Sequence, residues 1–417
     1  MTAYRTLDHL ILPIIAWDPE RPAEWINDHI AMVHATSNAY VIASDQGDVV
    51  INTTTAAQAP RAREKFETLL GRPLNVVTIV FTQSHPDHVG GWQVFAQPGT
   101  QMIGQAMFSQ ICAERKMLGG FFATRNANVL AAMIPPGTTY GWFDTPDPEP
   151  LTTFSEHLAF EAAGRRYELF SVSSGETVDS LAVWLPDEAT LFTGNWAGAI
   201  HGALPNFYTA RGDRDRSIPG WLQHCDMLLA LEPALLITGH EQPIVGTDQI
   251  RNLWHKVRQT VQLIHDHTVA GMTSGKTLPE IQATLAIPAE LTPRDGRCMP
   301  HWIARSVWEE YTGWFRQERT SELYPTPPSA VWPEVVAMAG GASAFAQRAH
   351  EHLAAGNAEQ ALHLVEMAVV AEPNNREVRE AELAVYDRLM DLTEGRVFDL
   401  LGWLEGRVMA ARAVLDG

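Results

Sequence analysis

Short β-branched apolar runs, each closed by polar or glycine-containing turns, alternate with longer stretches of helical period over the first two thirds of the chain. Residues 34–44 and 47–53 read as two strands around Asp45-Gln46-Gly47. Residues 56–71 carry a helical pattern that ends at Gly71, and Val76-Val77-Thr78-Ile79-Val80-Phe81 is a buried strand. Residues 167–185 predict a strand, a polar turn and a second strand. Leu191-Phe192-Thr193 and Ala234-Leu235-Leu236-Ile237 predict two more, and 248–270 a long helix. Strands alternating with helices imply an α/β fold. Residues 1–36, with several Pro and Trp, are expected to be irregular. After the Pro-rich stretch Tyr324–Pro333, apolar positions recur at helical spacing over 343–355, 358–371 and 375–392. The chain is therefore expected to end in an all-helical domain.

The length of 417 residues allows two or three domains with a large core. A net charge of −19 with no long basic run argues against nucleic acid or an anionic membrane as partner. An anionic ligand would then need a local cationic pocket. No apolar run reaches the ~18 residues that span a bilayer, and the first residues lack a signal-peptide pattern. Cys112, Cys225 and Cys298 are odd in number and widely separated, so a cytoplasmic protein without a disulfide framework is expected.

The chemistry concentrates just past the Val76–Phe81 strand, in Thr82-Gln83-Ser84-His85-Pro86-Asp87-His88-Val89-Gly90-Gly91. A buried strand end is rigid, and two imidazoles and a carboxylate within four residues are zinc-type ligands. His240 likewise ends an apolar strand at Thr238-Gly239-His240. His265 and His267 lie two apart on a predicted helix, where side chains point away from one another, so they are not paired as ligands. Met117, Leu118, Phe121, Phe122, Met133, Trp142 and Phe143 are candidates for an apolar substrate cleft, with core packing the favoured reading for most.

These segments resemble the metallo-β-lactamase superfamily. Gln83-Ser84-His85-Pro86-Asp87-His88 resembles its His-x-His-x-Asp-His motif, with Gln83 in place of the first His. Asn38-Ala39-Tyr40-Val41-Ile42 and Val49-Val50-Ile51-Asn52-Thr53 resemble its opening hairpin, with Asn52 where Asp is usual. Gly194-Asn195 stands where a metal-bridging carboxylate is usual. Further segments resemble the alkylsulfatase branch: Gly175-Glu176-Thr177, whose Glu replaces the superfamily His, and Pro205-Asn206-Phe207-Tyr208-Thr209-Ala210-Arg211-Gly212. Gly275–Ile281 and Tyr311-Thr312-Gly313-Trp314-Phe315 match the same branch. In one family segment the usual tyrosines are missing, and Arg297-Cys298-Met299 stands there. Ala354–Asn375 also resembles a single tetratricopeptide unit, although the position in the chain favours the alkylsulfatase dimerisation domain. A further C-terminal lipid-transfer-like domain of that family has no counterpart in these 417 residues.

The resemblance implies a metallo-β-lactamase αββα sandwich over residues 1–325, followed by an all-α dimerisation domain over 335–417. It implies one well-formed metal site from Asp87, His88 and His240, and a weaker second site from His85 and Glu176, with Gln83 at best a long contact. Zinc, as one or two ions, is the default, while iron or manganese also fits by ligand type. Arg211 and Asn206 would hold an anionic group of a small, partly apolar substrate beside the metal ligand Asp87. The expected function is hydrolysis by a metal-activated water, as in alkyl and aryl sulfatases. Alternatives are hydrolysis of another C–O bond (ether, carboxylic ester or lactone) and a non-catalytic assembly subunit. A homodimer or higher oligomer is expected.

Overall fold

A computed structural model describes residues 17–130, 146–149 and 151–417. The chain divides into two compact units. The larger takes its described residues from His9–Ala123 and Thr139–Glu310, and the smaller from Thr124–Thr138 and Tyr311–Gly417.

The larger unit is built on two sheets. Among the described residues the first runs in sequence order through β1 (Glu24–Trp25), β2 (Ile30–Val33), β3 (Ala39–Ile42), β4 (Asp48–Ile51), β5 (Val76–Val80), β6 (Gln101–Gln105) and β7 (Thr152–Phe154). Pairing is antiparallel from β1 to β4 and parallel from β4 to β7. The second sheet holds β8 (His157–Ala162), β9 (Arg165–Ser171), β10 (Leu181–Leu185), β11 (Thr190–Gly194), β12 (Leu235–Thr238) and β13 (Ile244–Val245). Only β11 and β12 pair in parallel there.

The sheets face each other across one core, in which Tyr40, Ile51 and Val80 meet Leu181, Val183 and Phe192. Helix Ala59–Leu70 covers the outer face of the first sheet, packing Phe66 with Val41, Ile79 and Phe81. Helices Ile218–Leu229, Thr247–Thr273 and Pro300–Thr312 supply Trp221, Trp254 and Ile303 to the outer face of the second. The central strands read as unbroken apolar runs because both faces are covered. Each fully buried large aliphatic or Phe side chain contributes about 1.5–3 kcal/mol.

Two expectations need correction. Residues 1–36 were expected to be irregular, yet Ile30-Ala31-Met32-Val33 is a fully buried strand paired with β3, and Glu24–Trp25 pairs outside it. A four-residue strand is too short to show a period among flanking polar residues. Met117, Leu118 and Phe121 are not core: they are 75%, 40% and 57% exposed. Met133, Trp142 and Phe143 lie outside the described residues.

In the smaller unit, helices Ala342–Ala354, Ala358–Ala371 and Arg376–Thr393 pack Phe345, Ala361, Val365, Val378 and Val385 together. Asn375 caps the third of these, its Oδ1 accepting the Val378 N–H at 3.3 Å. A further helix, Phe398–Asp416, was not expected from the sequence: its buried stripe of Leu401, Leu404, Val408 and Ala411 is blurred by the exposed Trp403, Met409 and Val414.

Gly91 sits where a Cβ would lie 2.3 Å from both the Thr53 carbonyl oxygen and the Ala59 Cβ, whereas nothing lies within 4 Å of a Cβ at the helical Gly120. Gly91→Ala should lower stability by about 1–3 kcal/mol. Gly120→Ala should be neutral or stabilising by up to about 1 kcal/mol. Urea unfolding of the two variants checks the contrast.

Candidate metal and anion site

The parallel strands end on one side of the sandwich, and the candidate residues follow those ends. After β5 the backbone turns at Gln83-Ser84-His85 into a one-turn helix, Pro86–Val89, that carries Asp87 and His88. His240 follows β12 and Asn195 follows β11. Asn195 is anchored by the next residue, Trp196, which stacks on Trp221 at 5.0 Å and meets Trp254 edge-on.

One ligating atom from each of Asp87, His88 and His240 lies within 4.8 Å of the others, and all three residues are buried. Asp87 Oδ2 is 3.6 Å from His88 Nε2 and 3.8 Å from His240 Nε2. Burial alone would raise the Asp87 carboxyl, but the imidazoles of His88, His240 and His85 hold it below its usual value. Burial pushes His88 down to about 4, so its ring is neutral at pH 7. The donor set fits one divalent ion: two imidazoles and a carboxylate converge, and His240 Nδ1 is left without a hydrogen-bond partner.

The other half of the site is bound up in amide hydrogen bonds. Glu176 Oε2 accepts from Asn195 Nδ2 at 2.7 Å and from Gln83 Nε2 at 3.0 Å. Gln83 Nε2 also lies 2.9 Å from His85 Nδ1, and Asn195 Nδ2 is 2.9 Å from His240 Nε2. The other carboxylate oxygen of Glu176 lies 3.9 Å from Arg211 Nη2 and 3.8 Å from Arg297 Nη1. Burial would raise Glu176, yet His85, Arg211 and Arg297 hold it well below the usual carboxylate range. Burial would likewise lower His85, but Asp213 and Glu176 raise it.

Arg211 and Asn206 sit on the loop that closes this half. Arg211 Nη2 is 3.9 Å from Asp213 Oδ2. Arg216, itself buried, donates to the Asn206 carbonyl and to Asp213 Oδ2 at 2.8 Å. Asn206 is 7% exposed, and neither its Nδ2 nor its Oδ1 has a hydrogen-bond partner. It lines a small cavity with Glu176, Asn195 and Trp196. An amide buried without partners costs free energy unless a ligand or water completes it.

All eight residues named from the sequence thus fall in one neighbourhood. Sequence reasoning placed Asn195 at a metal-bridging position that lacks its carboxylate, and missed Arg216, Asp213 and Arg297 as members. Asp213 and Arg216 lie just past Arg211, and Arg297 stood in a segment already compared, but nothing in their spacing revealed a shared pocket.

The metallo-beta-lactamase superfamily matches residues 34–240, and alkyl sulfatase dimerisation matches residues 277–398. The chain carries a metallo-β-lactamase domain joined to an alkyl sulfatase dimerisation domain. It is 23% identical over 373 residues to a linear primary-alkylsulfatase of a Pseudomonas strain, covering 84% of this chain and 69% of that protein. It is 21% identical over 233 residues to the alpha subunit of a 2,4-dinitroanisole O-demethylase of a Nocardioides strain, covering 55% of this chain and 60% of that one. A solved stereoselective inverting sec-alkylsulfatase from Pseudomonas superimposes with a TM-score of 0.79 at 22% identity, covering 94% of this chain and 65% of the other. That likeness supports the fold. The chain spans about three fifths to two thirds of the length of these proteins.

Breaking the Arg216–Asp213 pair would leave Asp213 without its closest cation. Arg216→Ala should cost about 3 kcal/mol and should open the 205–216 loop to limited proteolysis before global unfolding. Unchanged thermal stability and cleavage would contradict the anchoring role.

Proposed function

We propose that the chain is a metal-dependent hydrolase of anionic esters, with sulfate esters of partly apolar alcohols as the substrate class. The observation that carries this reading is the buried Asn206 amide, without a hydrogen-bond partner, lining the same small cavity as Glu176 and on the same loop as Arg211. A guanidinium offers a forked pair of donors to a tetrahedral oxyanion, and an amide adds a neutral donor. In a protein of net charge −19, Arg211, Arg216 and Arg297 gathered around two carboxylates form the local cationic pocket that an anion requires.

Asp87, His88 and His240 would hold one ion, zinc by ligand type, with iron or manganese also compatible. When bound, the ion supplies Lewis-acid polarisation and water activation. We assign no second ion to the Glu176 half, because amide N–H groups there already donate to its carboxylate. His85 and Gln83 then act as partners of Glu176 rather than as ligands. Arg211 and Asn206 orient the anionic group, and Arg115, which donates to the Ser84 carbonyl, braces the metal loop from outside. Three buried free cysteines suit a reducing cytoplasm. No described helix is long and apolar enough to cross a membrane. The helical tail over 335–417 is assigned to homodimerisation, supported by the alkyl sulfatase dimerisation match, which covers residues 277–398.

A second reading, hydrolysis of another C–O bond such as an ether, is favoured by the amides at Gln83 and Asn195 and by the likeness to the O-demethylase subunit.

Protein purified from metal-replete medium should carry close to one equivalent of transition metal per chain, and His240→Ala should lose it. Two equivalents would refute the one-ion assignment. With an alkyl sulfate as substrate, inorganic sulfate should be released. Arg211→Ala should lower kcat/KM for it by about 100-fold, a transition-state loss near 2.7 kcal/mol, while an uncharged ester changes far less. Equal effects on both would remove the anion clamp, and ether cleavage without sulfate release would favour the second reading.

A further inference from the structure

Three side chains of the anion half close on a single oxygen, Asp213 Oδ2. Arg216 Nη2 donates to it at 2.8 Å, and Arg211 Nη2 and His85 Nε2 each stand 3.9 Å away. The other carboxylate oxygen, Oδ1, accepts the Arg214 backbone N–H at 2.9 Å. Two guanidinium groups gathered about one oxygen are what an oxyanion site offers its ligand. Here that oxygen belongs to the protein.

Glu176 also faces Arg211, but it is 6% exposed, and the Asn195 and Gln83 amides hold it. Asp213 differs. Its side chain is 27% exposed, and residues 212–217 carry no regular secondary structure. The carboxylate can turn out to solvent while Arg216, whose side chain is 1% exposed, keeps its bond to the Asn206 carbonyl.

We propose that Asp213 is a built-in counter-anion: its carboxylate holds the place of the substrate's anionic group between Arg211 and Arg216, and that group binds by displacing it. A carboxylate tethered this way competes at an effective concentration on the order of millimolar. A free carboxylate gains nothing by the exchange, whereas a tetrahedral oxyanion brings further oxygens that reach both guanidinium groups. Asp213 thereby selects sulfate-type groups over carboxylates. This inference rests on the anion-clamp reading of Arg211 given above.

The test is Asp213→Asn, which keeps the side chain's size and an acceptor for Arg216 while removing the charge. Inorganic sulfate and acetate are titrated calorimetrically into the full-length parent, this variant and Asp215→Asn, which removes the same charge from an exposed neighbour on the loop. Asp213→Asn should bind sulfate about 10-fold tighter than the parent. It should also bind acetate, which the parent should not do detectably. Asp215→Asn should stay within about threefold of the parent, because a solvated charge is screened. Disruption of the loop would not produce a gain of affinity. Equal sulfate affinity in the parent and Asp213→Asn, or an equal gain in Asp215→Asn, would overturn the proposal. So would a parent that binds acetate as tightly as sulfate, a result that needs no variant. Arg211→Ala should weaken sulfate binding. If it does not, the anion clamp fails and the counter-anion with it. A loss in Arg211→Ala without a gain in Asp213→Asn removes the counter-anion alone.

Discussion

His88 is wholly buried where the two sheets converge, and each group that touches its ring comes from a different strand end. Ser37 precedes β3, Asn52 follows β4, Asn195 follows β11, and the Gly239 carbonyl that holds Ser37 follows β12. The backbone around it is equally committed: the His88 carbonyl accepts the Thr53 N–H at 2.7 Å, and the Gly239 carbonyl accepts the Asn38 N–H at 2.7 Å. An imidazole enclosed this way cannot reorient to suit an incoming ligand. Side-chain amide nitrogens flank both of its ring nitrogens, Asn52 Nδ2 at 3.0 Å from Nδ1 and Asn195 Nδ2 at 3.1 Å from Nε2.

The two halves of the site differ. Asp87, His88 and His240 bring one ligating atom each within 4.8 Å of one another, with the Asn195 amide nitrogen beside both imidazoles. In the Glu176 half, Gln83 and Asn195 bring NH2 groups to a carboxylate, and arginines stand around its other oxygen. A side-chain amide can turn over, but only if the groups that held its oxygen and nitrogen find other partners. The Glu176 half therefore behaves as a self-satisfied ionic network.

That network also places positive charge where a strongly acidic protein has little of it. Arg211, Arg216 and Arg297 lie around Glu176 and Asp213, and Arg214 leaves the loop to pair with Glu114 at 2.8 Å. The loop from Asn206 to Arg216 is thus tied down from both sides. Along it the Asn206 amide, Thr209 Oγ1 and Arg216 Nε are buried without a hydrogen-bond partner, and Asn206 lines the cavity. Pre-ordering of this kind lowers the entropy lost when an anion binds.

Local pattern sufficed for much of this. Val76–Phe81 with the His-Asp-His cluster after it, the Thr238-Gly239-His240 strand end and the tail helices over 343–392 were legible because period, turn residues and ligand type all lie within a few positions of one another. The buried strand Ile30–Val33 was not, being too short for a period, and neither was the helix Phe398–Asp416, whose apolar residues lie on its exposed side as well as its buried one. At the site, the sequence determined which ligand types remain and which positions had become amides. Only the tertiary structure decided what those amides do. Gln83, Asn195 and Glu176 are 93 and 19 residues apart along the chain, and Asn52 and His88 are 36 apart. A hydrogen bond's direction depends on which third group claims the amide oxygen. That choice is made by distant strands meeting, which no local pattern encodes.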